Sequence, residues 1–110
     1  MNLESIINPS SEKYEIKIKT SELTFLGVEN QPDFAILNIT FYPSKKVIEL
    51  RSLKKYLGSF RNKIVSYERL INTIYEDIME KYNPERLVIS MKTTPRGGIS
   101  SNLKIDSKWR

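Results

Sequence analysis

Asp33-Phe34-Ala35-Ile36-Leu37-Asn38-Ile39-Thr40-Phe41-Tyr42-Pro43 is the stretch on which the fold turns. Read with a period of two, it sets Ala35, Leu37, Ile39 and Phe41 on one face. Phe34, Ile36, Asn38, Thr40 and Tyr42 fall on the other, apolar grading into polar. A long strand over residues 33–43 with one fully buried face is predicted. Upstream, residues 14–19 alternate as Tyr14, Ile16 and Ile18 against Glu15, Lys17 and Lys19, a second strand. Residues 21–30 read as a connection with room for a helical turn, and residues 1–12 as polar and frayed. Downstream, Pro43-Ser44-Lys45-Lys46 turns the chain and residues 47–50 return as a short strand.

Two helices follow. Ser52 is placed to cap the first, whose apolar face is Leu53, Tyr56, Leu57 and Phe60 at i, i+3, i+4 and i+7. Residues 62–65 lead to the second, capped by Ser66, with Glu68 favourable in its first turn. Its stripe is Leu70, Ile71, Ile74, Tyr75, Ile78 and Tyr82, and Asn83-Pro84 ends it. Residues 86–93 alternate as a strand with Leu87, Ile89 and Met91 on one side. Thr94-Pro95-Arg96-Gly97-Gly98 turns, and residues 99–105 form a last strand with Ile99, Ser101, Leu103 and Ile105 on one face. Strands, two helices, strands is an α+β order: an antiparallel sheet with helices over one face, in one domain spanning residues 1–110. The Phe34, Ile36 and Tyr42 face then lacks a cover, which points to self-association through the sheets.

Composition narrows the chemistry. The 110 residues carry 18 Lys and Arg against 13 Asp and Glu, a formal charge of +5. There is neither cysteine nor histidine. Disulfides, thiolate nucleophiles, iron–sulfur clusters, thiolate zinc sites and Ser-His-Asp catalysis are excluded. Acid–base work falls to Asp, Glu, Lys or Tyr, and only carboxylates remain as metal ligands; no metal site is expected. No apolar run approaches the roughly 20 residues of a membrane span, and no secretion signal is read, so a cytoplasmic protein without membrane contact is expected. The positive charge permits nucleic-acid binding through residues 14–19 or through Lys104, Lys108 and Arg110, but no nucleic-acid motif supports it.

Four segments stand out for chemistry. Glu49-Leu50-Arg51-Ser52-Leu53-Lys54-Lys55-Tyr56 places Arg51, Lys54 and Lys55 at a helix start, where cations oppose the dipole and a bound phosphate would reverse the penalty. A solvated basic face is the competing reading. Asp33, after Gln31-Pro32, is either a turn residue or an acid–base group at a pocket rim. Glu68, after Tyr67, either complements a helix dipole or accepts from the paired donors of a guanine-like base. Gly97-Gly98 either closes a hairpin or lets backbone approach a ligand.

In this order and spacing, Gln-Pro-Asp-Phe at 31–34, the 49–56 segment, Ser-Phe-Arg-Asn at 59–62, Tyr-Glu at 67–68 and Thr-Pro-Arg-Gly-Gly-Ile at 94–99 resemble the 7-cyano-7-deazaguanine reductases of queuosine biosynthesis, in their short form. The resemblance runs from about Leu26 to Ser100. It implies the tunnelling fold: a four-stranded antiparallel sheet with two helices on one face, joined through its sheets into a barrel-forming homo-oligomer, a pentamer or a stacked decamer. It implies a 7-deazaguanine-type base as ligand, NADPH as reductant of its nitrile, and active sites between subunits. Glu68 stands at the base-anchoring position and Asp33 at the proton-transfer position. Glu49, Arg51, Ser52, Lys54 and Lys55 occupy the NADPH-associated motif, with Arg51 where the family usually has lysine.

Two family positions differ. The nucleophilic cysteine falls at Leu26, followed by Gly27 where the family has proline, and the histidine before the base-binding glutamate falls at Tyr67. Leucine has no lone pair and forms no thioimide. A tyrosine with an ordinary pKa near 10 is a poor acid or base at neutral pH. Three readings follow: a deazaguanine-pathway enzyme in which Asp33 protonates the nitrile while hydride attacks directly; a cysteine-independent amidine-forming enzyme; or a non-catalytic module that binds the base or joins a mixed ring with a cysteine-bearing paralogue.

Overall fold

The computed structural model describes residues 2–109; Met1 and Arg110 lie outside the described residues. The element order is β1 (Ser5–Ile7), β2 (Ile16–Leu26), β3 (Pro32–Tyr42), β4 (Lys46–Ile48), α1 (Leu50–Gly58), α2 (Tyr67–Tyr82), β5 (Arg86–Thr93), β6 (Asn102–Asp106) and a 3-10 turn at Ser107–Trp109. The α+β expectation holds. β2, β3, β5 and β6 form a four-stranded antiparallel sheet in that spatial order.

β3 occupies an inner position because its inward row is wholly apolar beyond Asp33. Leu37 faces Thr20 and Met91, Ile39 faces Ile18 and Ile89, and Phe41 faces Ile16 and Leu87. Onto this row pack Leu53, Tyr56 and Leu57 of α1 and the predicted stripe of α2, all buried in one cluster. Each buried aliphatic side chain in such a cluster contributes about 2 kcal/mol relative to exposure. The outward row behaves as the other half of the alternation: Phe34 and Asn38 are exposed, and Ile36, Thr40 and Tyr42 are half-buried. No helix of the described residues is long and apolar enough to cross a membrane.

Four expectations are corrected. The segment read as a connection over residues 21–30 is strand as far as Leu26. A bulge between Thr20 and Leu23 inserts one residue, so that Thr20 and Leu23 both lie on the core side although three positions apart. Alternation changes phase there, so the sequence pattern ends before the strand does. Residues 1–12 are not simply frayed: β1 pairs antiparallel with β4, Leu3 is buried, and the Tyr82 hydroxyl donates to the Glu4 carbonyl at 2.6 Å. Ile6 and Ile7 remain exposed, so this strand is held by backbone pairing and by its neighbour Leu3, which alternation does not reveal.

The third correction is the cap of α1. Glu49 occupies it, its carboxylate accepting the amides of Arg51 at 2.8 Å and Ser52 at 2.7 Å. Ser52 is instead buried inside the first turn, donating to the Glu49 carbonyl at 2.8 Å and accepting the Glu4 amide at 2.9 Å. The return strand accordingly ends at Ile48, not at residue 50. Fourth, the last strand begins at Asn102, because Arg96 and Ile99 exchange backbone hydrogen bonds of 2.8 and 3.0 Å around Gly97 and Gly98. Both glycines have positive φ, 58° and 80°, which a two-residue turn of this hand requires. Ser66 caps α2 as expected, accepting the Arg69 amide, and Asn83 ends it in the left-handed conformation.

At the far end of the sheet Arg86 grips Asp106 through two hydrogen bonds of 2.8 and 3.2 Å. The guanidinium, joined by the Lys108 amide, holds the Asp106 carboxyl down at about 2, against an ordinary 3.8. The unfolded chain therefore takes up this proton at higher pH than the folded one. The stabilisation is complete above the ordinary value and is lost as pH falls toward 2. Thermal melts across acid pH should show this loss, and Asp106→Asn should flatten that part of the profile while lowering the melting temperature at neutral pH.

Candidate base-binding site

The site forms where β2 turns into β3. The turn is tight: the Gly27 amide donates to the Gln31 carbonyl at 2.7 Å, and the Asn30 amide to the Gly27 carbonyl at 2.8 Å. Asn30 takes a positive φ of 62°, which asparagine tolerates. Leu26 then pairs with the linker between the helices, its amide donating to the Lys63 carbonyl at 2.9 Å and its carbonyl accepting the Val65 amide at 3.0 Å. That pairing brings the start of α2, with Tyr67 and Glu68, beside the start of β3. Phe25 meets the Tyr67 ring edge to face at a centroid distance of 5.8 Å.

Asp33 is the first inward residue of β3 and is only 4% exposed. A carboxylate at that depth needs donors, and three segments supply them. The Tyr67 hydroxyl donates to Oδ2 at 2.5 Å. The Phe34 amide donates to Oδ1 at 2.9 Å, and Thr94 Oγ1 lies 3.3 Å from the same oxygen. Arg96 Nε stands 3.7 Å from Oδ1. The two Nη atoms of Arg96 bond Gln31 Oε1 and the Pro32 carbonyl, so one guanidinium ties three consecutive residues. The hydrogen bond to Asp33, with partial burial, raises the Tyr67 hydroxyl above its ordinary pKa. Tyrosine thus keeps the proton and aspartate accepts it.

Around this network opens a cavity of about 540 Å³, lined by Gly27, Val28, Glu29, Gln31, Asp33, Val65, Ser66, Tyr67, Glu68 and Arg96. Of the expected site residues, Asp33, Tyr67 and Glu68 come together here. Leu26 does not line the cavity; its neighbour Gly27 does. Arg96, 63 positions away, is the partner of Asp33 that its turn motif does not reveal. Its only sequence signal was the glycine pair that aims the turn.

The helix-start residues lie elsewhere. Glu49, Arg51, Ser52 and Lys55 line a hollow of about 370 Å³ with residues 2–4. Lys54 lines another of about 530 Å³ with Arg61 and the β2 bulge. The Arg51 and Ser52 amides at the start of α1 are not free for a phosphate, because the Glu49 carboxylate already accepts them; those bonds, Arg51 first, lower the Glu49 pKa. Among the described residues no group of three acidic side chains is placed to hold a metal ion.

Residues 32–110 match the family model described as QueF-like protein. The chain is 37% identical over 102 residues to the NADPH-dependent 7-cyano-7-deazaguanine reductase of Wolinella succinogenes, covering 92% of this chain and 82% of that protein. It is 40% identical over 99 residues to the protein of the same name from Thermomicrobium roseum, covering 88% and 77%. The apo crystal structure of an archaeosine synthase, QueF-Like, superposes with a TM-score of 0.78 over 84% of this chain and 92% of that one; at 18% identity it speaks for the fold alone.

Asp33→Asn removes the charged acceptor that the Tyr67 hydroxyl faces. In a titration followed by the Tyr67 ring carbon resonances, this phenol should ionise at lower pH in the variant than in the native protein, with the remaining tyrosines unmoved.

Proposed function

The chain belongs to the QueF-like protein family, and from that membership we propose that it recognises a 7-deazaguanine-type base in the Asp33 cavity without forming a covalent bond to it. The observation that supports this reading most is the retained pair of carboxylates: Asp33, at the start of β3, and Glu68, at the start of α2, line one cavity. Glu68 is exposed and has no hydrogen-bond or ion-pair partner among the described contacts of the cavity. Its two oxygens suit the adjacent ring N–H and exocyclic amine of a guanine-like edge. Tyr67 and Val65 offer apolar surface for the ring plane.

The covalent step has no agent. The sequence holds no thiol, and position 26 is a leucine that is not among the residues lining the cavity. Loss of a nucleophile typically lowers turnover by about four to six orders of magnitude. The cations of the helix start suit the phosphates of NADPH, the cofactor named for the relatives. Arg51, Lys54 and Lys55 are exposed and take part in none of the ion pairs among the described residues. When bound, that cofactor supplies hydride; this chain's own part would be to hold its phosphates with these side chains.

The resemblance also supports assembly. The outward row of β3, with Phe34 exposed and Ile36 and Tyr42 half-buried, suits copies joined through their sheets into pentameric rings. Sedimentation should return the mass of five or ten protomers; a monomer at micromolar concentration would refute it.

Calorimetric titration with 7-cyano-7-deazaguanine tests the central reading. Micromolar binding is expected, weakened at least about tenfold in Glu68→Gln, since a charged hydrogen-bonded pair is worth about that factor or more. Base-dependent NADPH oxidation is expected to be absent. Turnover abolished by Asp33→Asn would show the non-covalent enzyme reading to be right instead, and no binding would overturn base recognition.

A further inference from the structure

Two basic segments that lie far apart in the sequence, residues 14–19 and the C-terminal end, meet on the open face of the sheet. The register sets Lys19, Asn38, Ser90 and Lys104 in one row across all four strands. The row on one side holds Lys17, Thr40, Val88 and Asp106, and the row on the other holds Ile36, Lys92 and Asn102. The helices pack on the opposite face, against Leu37, Ile39 and Phe41, so these rows stay in water. Lys19, Asn38, Lys92, Asn102 and Lys104 are all exposed. No sequence motif marks this surface, because register across the strands makes it.

The charge left on it is of one sign. Glu15 accepts the Tyr42 hydroxyl and stands 3.7 Å from the Lys17 ammonium. Asp106 is held by Arg86 and by the Lys108 amide. Lys19, Lys92 and Lys104 take part in none of the ion pairs among the described residues. Cations without partners, set among amide and hydroxyl side chains, complement a polyanion. An aromatic ring adjoins them: the Lys104 ammonium lies 5.7 Å from the Trp109 ring centroid, and that residue is 67% exposed. Exposed rings beside cations are what unpaired bases stack on. A duplex fits less well, since four strands spaced about 4.8 Å apart span about 14 Å, more than the roughly 12 Å of a major groove. Asn38 and Ser90, between the two lysines of the central row, both donate and accept, which suits a ribose 2′-hydroxyl.

We propose that the open face of the sheet binds single-stranded RNA, with phosphates on Lys19, Lys92 and Lys104 and a base on Trp109. None of these residues lines the Asp33 cavity, so the inference stands apart from base recognition. Copies joined along the edge strands β2 and β6 would leave the face uncovered.

Fluorescence anisotropy with a labelled single-stranded RNA of about 12 nucleotides, within the span of one such platform, tests it on the intact chain. Dissociation constants of about 10 to 100 μM are expected at low salt. The logarithm of the association constant should fall against that of salt concentration with a slope of about −2, the value for three phosphate contacts to a single strand. Lys19→Gln, Lys92→Gln and Lys104→Gln should each make the slope shallower by about 0.7. Arg69→Gln removes the same charge from an exposed position on α2, across the sheet, and should leave the slope unchanged. Trp109→Ala should weaken binding about fivefold or more, the scale of one base–aromatic stack. Lysine variants that behave like Arg69→Gln would overturn the site. Equal binding of single-stranded DNA of the same sequence would overturn the assignment to RNA, and tighter binding of a duplex would overturn the assignment to a single strand. No binding at low salt with protein at about 1 mM would overturn the inference as a whole.

Discussion

A carboxylate stands where the apolar face of β3 begins. Asp33, Ala35, Leu37, Ile39 and Phe41 share one parity, so the strand that builds the core must also take Asp33 out of water. An isolated charge at that depth is costly, and the cost is met only if donors converge on it. They come from the amide next in the strand, from the start of α2 and from the loop after β5. Three distant segments are thereby fixed against one another, and the cavity is the space they leave. Core and site depend on the same alternation: the sheet presents Asp33 because it buries Leu37.

Most of the architecture was legible because it rests on periodicity. The α2 stripe, its Ser66 cap and its Asn83-Pro84 stop are local features, each within a turn or two of chain. The strands β3 and β5 are runs of β-branched and apolar residues with regular phase. What failed was non-local or phase-breaking. β2 was cut short because a bulge resets its alternation. The first strand was missed because it is held by backbone bonds to β4 and by the burial of Leu3, neither visible in the composition of residues 5–7. Glu49 displaced Ser52 as the cap because Ser52 is drawn inward to receive the Glu4 amide, a contact 48 positions away.

The site was legible in a different way. Asp33, Tyr67 and Glu68 could be named from ordered motifs, since the motifs mark the segments that meet. Their mutual geometry could not. Tyr67 was read as a loss, the place where a histidine is missing; in the fold it is the residue that holds Asp33 in place. Arg96 was read as part of a turn, and it ties the loop after β5 to Gln31 and Pro32 at the entry to β3. The basic helix start and the carboxylate pair line separate hollows within one chain, which a list of motifs could not tell.

The bulge in β2 has a consequence for how this chain can change length. Between Thr20 and Leu23 β2 spends one residue more than β3 does between Leu37 and Ala35. Removing Ser21 or Glu22 would close the ladder into regular pairing with Ile16, Ile18, Leu23 and Phe25 still facing inward. Removing a residue anywhere else in the strand would turn one half of it inside out. The protein therefore has one place in its longest ladder where a codon can be lost without moving the core, and that place borders the hollow that holds Lys54 and Arg61, not the one that holds Asp33. Deletion there would reshape the basic hollow while leaving the Asp33 cavity in register.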